Sequence, residues 1–204
     1  VSDWSSDVCS SDLLTDLKLE LTTFKRCPLD FKGRFPTSPP LKKLNIYIIE
    51  RLDSQQLGVL SQTILQLQVL ETFEFSFLLR DGISSLALLF DVLARMERLK
   101  FLSGSFNLHE EMDYREVKSF TGRVLKCKTL VGLALRFHNN HYQTIEELHK
   151  IKYNIVLNLF QGFNEIPDLK YFYINGKVQA GPPFNWPRVG PDPSQEVAIG
   201  LKAI

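Results

Sequence analysis

The side chains best able to do chemistry gather in one short stretch. His138, His141 and His149 lie close together with Glu146 and Glu147. Imidazole and carboxylate groups bind zinc, and Glu146 with His149 makes one Glu-x-x-His step on a helix face. A metal site needs three or four converging ligands with hydrogen-bonded support behind them. Neither His-Glu-x-x-His nor paired Cys-x-x-Cys steps are present to supply them. The stretch therefore reads as a solvated loop entering the first turn of a helix, where carboxylates suit the helix dipole. The run His109–Asp113 reads as an exposed loop between a strand and a helix, and Pro36-x-x-Pro39 as an extended connection. Gly-x-Ser-x-Gly elbows and glycine-rich phosphate loops are both missing. The expectation is a chain with no catalytic residues, no metal site and no cofactor, and so not an enzyme.

Bulk composition excludes further classes. A chain of 204 residues that is 44% hydrophobic can bury the core of one domain. Lys and Arg total 24 against 23 Asp and Glu, a formal charge of +1, so nothing global favours nucleic acid or an anionic membrane. The longest apolar run, Leu86–Phe90, is far short of the ~20 residues of a membrane helix. Residues 1–13 have neither the basic start nor the apolar core of a signal peptide. Asp3–Leu13, DWSSDVCSSDL, resembles translated sequencing-adapter DNA, and residues 1–13 are set aside as an expected disordered artefact. Without them 24 basic face 20 acidic groups, Cys27 and Cys127 remain, and the chain, lacking an initiator Met, is expected to be a fragment.

The elements that must position any functional group come from an internal repeat. Six segments share a Leu-x-x-apolar-x-apolar frame: LTDLKLEL from Leu14, LKKLNIYI from Leu41, LETFEFSF from Leu70, LKFLSGSF from Leu99, LVGLALRF from Leu130 and LKYFYING from Leu169. Their starts are 27, 29, 29, 31 and 39 residues apart. Apolar residues at the fourth, sixth and eighth positions alternate with others, the period of a strand with one buried face. Leu44, Ile46 and Ile48 show it, as do Phe73, Phe75 and Phe77; Gly104 and Gly176 are exceptions.

Before four of these strands the spacing becomes helical. Thirteen, ten, six and three residues ahead of the leading Leu stand Leu57, Leu60, Ile64 and Leu67, then Leu86, Leu89, Leu93 and Met96. The same offsets give Val117, Phe120, Val124 and Cys127, then Val156, Leu159, Phe163 and Ile166. Steps of three and four put each quartet on one helix stripe. One strand and one helix cannot hide their apolar faces alone, whereas stacked copies can. Prolines between Phe24 and Leu41 exclude a regular helix there, leaving Phe31 and Phe35 to fill the equivalent core slots from an extended connection.

This pattern resembles the leucine-rich repeat in its longer, helix-containing, ribonuclease-inhibitor-like form, over residues 14–178. The resemblance implies an α/β solenoid, a horseshoe with parallel strands on the concave side and helices on the convex side. It also implies an Asn at the ninth position that bonds backbone groups as the chain leaves the strand. Those sites here are Thr22, Ile49, Leu78, Asn107, His138 and Lys177, so only one keeps it. Cys127 stands where such repeats often carry a small buried Cys. Residues 179–204, rich in Pro and Gly, are expected to be a poorly ordered tail.

On that architecture the residues between the apolar strand positions face outward. Lys43, Tyr47, Glu74, Phe101, Arg136, Tyr171 and Tyr173 are the candidates for a partner-binding surface, since Tyr, Phe and Arg types dominate interface energies. The functional expectation is a non-catalytic scaffold that recognises another protein through this face, without nucleic acid or membrane. The alternative is the regulatory or substrate-recognition part of a larger enzyme, a kinase or an F-box-type ubiquitin-ligase receptor. Cys27 and Cys127, about three repeats apart, are too distant for a disulfide. With no Asn-x-Ser/Thr sequon, this leans the expected location to the cytoplasm.

Overall fold

The repeat frame becomes a single sheet lined on one side by helices. The structure is a computed structural model that describes residues 15–21, 40–107, 114–138, 145–174 and 198–200; for 138, 145–149 and 198–200 it describes backbone alone. The strands are β1 (Asp16–Leu21), β2 (Lys43–Leu52), β3 (Thr72–Leu79), β4 (Phe101–Asn107), β5 (Gly132–His138), β6 (Tyr171–Ile174) and β7 (Ala198–Gly200). Helices α1 (Ser54–Ile64), α2 (Ala87–Leu93), α3 (Tyr114–Val124) and α4 (Ile145–Gly162) alternate with them from β2 to β6. Spatial order follows chain order, β1 to β7. The first six strands are parallel and β7 pairs antiparallel with β6. The sheet is not closed into a barrel.

The helical phase read from the sequence is the phase of the core. All sixteen stripe positions, from Leu57 to Ile166, are buried, and they share one cluster with Leu44, Ile46, Phe73, Phe77, Leu133 and Leu135 from the strands. Burying a side chain of this kind stabilises by ~1.5–3 kcal/mol. Leu17, Leu19 and Leu21 of β1 are only partly buried against the cluster.

Backbone hydrogen bonds repeat as faithfully as the side chains. The N–H groups of Leu67, Met96, Cys127 and Ile166 each donate to the carbonyl three residues earlier, at 2.9 to 3.1 Å. Those of Leu70, Leu99, Leu130 and Leu169 do the same at 3.0 to 3.4 Å. Each turn from helix to strand is thus closed the same way. One carbonyl just ahead of each of β1 to β5, on Thr15, Lys42, Glu71, Lys100 and Val131, accepts two N–H groups from the next unit at 2.7 to 3.1 Å.

Departures from the frame have local causes. β2 and β3 run past their eight-residue frames because the register shifts between Ile48 and Arg51 and pairing resumes with Arg51 opposite Leu78. The bulge turns Ile49 out to solvent, 68% exposed. Asp53 then starts α1 with a capping box, its carboxylate accepting from the Gln56 N–H and the Gln56 side chain accepting from the Asp53 N–H, both 2.9 Å. The second helical unit is short, a 3-10 turn over Ile83–Leu86 running into α2, entered through Gly82 at φ 76°.

Gly104, the exception in the apolar pattern, is explained by its neighbour. A Cβ there would lie 2.6 Å from the Phe75 Cζ atom, so the Phe75 ring occupies the volume a side chain would need. That ring packs on Phe73, Phe77 and Phe106 at centroid distances of 5.4, 4.8 and 6.3 Å. Asn107 at the ninth position is buried and brackets Leu79 of the preceding unit, accepting from its N–H and donating to its carbonyl.

Candidate functional site

Strand register decides which outward side chains meet. One row across the sheet reads Asp16, Lys43, Thr72, Phe101, Gly132, Tyr171. The next reads Lys18, Asn45, Glu74, Ser103, Ala134, Tyr173, and a third Glu20, Tyr47, Ser76, Ser105, Arg136. All seven sequence-derived candidates therefore lie on one face. They divide into a joined group of four, a separate pair, and Lys43 apart from both.

Tyr47, Glu74, Arg136 and Tyr173 form the joined group. Arg136 on β5 reaches across β4 to Glu74 on β3, Nη1 to Oε1 3.8 Å, because β4 offers only Ser103 and Ser105 in between. Its guanidinium also lies 5.6 Å from the Tyr173 ring centroid, within cation–π range. On the other side, the Lys18 ammonium lies 5.3 Å from the Tyr47 ring and 2.6 Å from Glu20. Tyr47 links the two halves: burial, then the charge of Glu74 and a hydrogen bond to it, push its hydroxyl up to about 12. The side chains of Glu74 and Arg136 are 14% and 27% exposed, so the pair is held under partial desolvation.

Phe101 and Tyr171 form the pair, two strands apart in one row with Gly132 between them. Both are exposed, at 36% and 38%. Lys43 stands in the same row, partly exposed, on β2.

The face differs from the sequence expectation in one respect. Tyr173, expected outward and accessible, is 6% exposed, and Ala134, Ser105 and Gly132 on the same face are also buried. Small residues flanked by large ones are overhung: Ala134 sits beside Tyr173, Gly132 beside Tyr171, and Ser105 beside Arg136. Tyr173 is in turn covered by the Arg136 guanidinium. The Glu74–Arg136 link spans two strands and leaves no mark in sequence spacing.

Other sequence-derived sites fall differently. His109, His141, Cys27 and Pro36–Pro39 lie outside the described residues, as do the side chains of His138, Glu146, Glu147 and His149. Among the described residues no three His, Cys, Asp or Glu side chains come together as a metal site. Cys127 is a free thiol in the core, and burial pushes it up to about 12, so it is held protonated. No helix among the described residues is long and apolar enough to cross a membrane. Compared with models of known protein families and with curated proteins, the chain matches none.

Proposed function

We propose that this chain is a leucine-rich-repeat horseshoe of the helix-containing class and serves as a non-catalytic scaffold that binds a partner protein on its strand face. Three features support the class: the sixteen buried stripe positions, the recurring turn bonds, and Asn107 bonding backbone where the family carries Asn. In that arrangement the helices set the curvature and the strands line the concave side. A cytoplasmic setting without a cofactor belongs to the same proposal.

The observation that carries the functional reading is the linked group Tyr47–Glu74–Arg136–Tyr173. Side chains already fixed by one another lose little freedom on docking, so a partner gains affinity without an ordering cost of ~0.5–1.5 kcal/mol for each mobile side chain. The test compares proteins captured by the wild type, by Tyr47→Ala/Arg136→Ala, and by the helix-surface control Val59→Ser/Leu88→Ser. Partners lost only with the strand-face variant are expected. Partners retained by it and lost with the helix-surface control overturn the reading.

A further inference from the structure

The outward face carries its charge unevenly. On β1 to β3, with the residues just ahead of β2 and β3, it holds Asp16, Glu20, Glu71 and Glu74 against Lys18, Lys42 and Lys43. The corresponding positions of β4 to β6 hold Lys100, Arg136 and Lys170 and no carboxylate. Both exposed aromatics stand in this cationic half, each directly preceded by an exposed lysine: Lys100 before Phe101 and Lys170 before Tyr171.

Register gives the two rings a common floor. Gly132 lies opposite both Phe101 and Tyr171, so β5 raises no side chain between them. Their strands are two spacings apart, about 9.6 Å. A ring held in van der Waals contact on both faces needs walls ~7–8 Å apart, so this spacing is close to that of a one-ring gap. The register thus leaves a gap over Gly132 framed by two exposed aromatics, each next in the chain to an exposed lysine.

We propose that this gap is the anchor site for an acidic protein segment, which inserts one ring-bearing side chain between Phe101 and Tyr171 over Gly132 and places carboxylates on Lys100 and Lys170. The inference rests on the reading that the strand face binds protein and names the chemistry of the partner. Single-stranded nucleic acid is the competing polyanion. The neighbouring half of the face sets four carboxylates against three lysines, so it adds no net positive charge for a long phosphate backbone to follow, whereas a short acidic segment needs only the cationic half.

The test uses the whole chain and a fluorescein-labelled heptapeptide with a central phenylalanine flanked by Asp and Glu, read by fluorescence anisotropy. Controls are the same peptide with central alanine, a lysine-flanked version, and an oligothymidine strand. Binding of the acidic phenylalanine peptide is expected to weaken about tenfold with Phe101→Ala and about tenfold with Lys100→Glu/Lys170→Glu. It is also expected to weaken as salt rises from about 50 to about 300 mM. Equal binding of the alanine peptide, of the lysine-flanked peptide or of the oligothymidine overturns the inference, as does binding unmoved by Phe101→Ala. No saturation by about 1 mM peptide, an affinity near −4 kcal/mol, overturns it too. Because Tyr47 and Arg136 are untouched in these variants, the capture experiment stands or fails separately.

Discussion

Gly104→Ala tests the packing between two neighbouring units directly. A single methyl enters at a position where the ideal Cβ is 2.6, 3.0 and 3.3 Å from the Cζ, Cε1 and Cε2 atoms of Phe75. Ordinary carbon contacts are ~3.5–4.0 Å, so ring and methyl must separate by about 1 Å. Phe75 is 1% exposed and stacked on Phe73 and Phe77, and its atoms have no empty side to move into. Overpacking of this kind costs ~1–3 kcal/mol. With a urea slope of ~2 kcal/mol/M, the midpoint should fall by about 1 M. Far-ultraviolet circular dichroism through a urea titration reads it. Phe75→Leu, which trims the ring, should itself cost ~1–2 kcal/mol through lost packing. Combined with Gly104→Ala it should cost less than the sum of the two by ~1 kcal/mol or more. A Gly104→Ala midpoint equal to wild type, or strict additivity in the double variant, would refute the claim that one ring fills two units' space.

Leu89→Asp places a lone carboxylate where the side chain is fully buried in the layer between helices and sheet, and should abolish folding; a soluble, cooperatively melting variant would contradict the register. Asn107→Ala strips partners from the buried Leu79 N–H and carbonyl, and about 2 kcal/mol or more of lost stability is expected in the same urea titration; a loss under about 0.5 kcal/mol would show those groups satisfied otherwise. Tyr47 keeps its proton longer folded than unfolded, so its contribution is intact below pH 10 and is lost as pH rises toward 12. Tyr47→Phe should flatten the decline in urea midpoint across that window, and parallel declines for the two proteins would sink the assignment.

The helix stripes were fully legible because offsets of three and four, repeated in phase with four strands, admit only one buried face. The outward strand positions were legible for the same reason. What escaped were consequences of neighbours. Ile49 reads as a ninth-position residue in place of Asn, yet the bulge that exposes it is a matter of pairing between β2 and β3. Gly104 breaks the pattern until Phe75 is seen to occupy its place. Tyr173 reads as an exposed aromatic, and only the Arg136 guanidinium lying 5.6 Å from its ring centroid shows that it is covered. The antiparallel pairing of β7 with β6 carries no repeat signature, since Ala198–Gly200 falls outside the frame. Distances along the chain say which side of a strand a residue takes, but not how far its neighbour's side chain extends.

The shared carbonyls ahead of the strands bear on how such a chain changes length. Each of them, on Lys42, Glu71 or Lys100, ties only one unit to the next, and every junction uses the same pair of donors. A block such as residues 70–98 could therefore be duplicated or excised in frame with the bonds at its borders restored in kind. Gain and loss of whole modules is then the cheap route for this architecture to lengthen or shorten, whereas a slip of one or two residues would sever a junction. Thermal melts of an in-frame duplication beside a two-residue insertion after Leu70 would separate the two behaviours, the first staying folded and the second losing its cooperative transition.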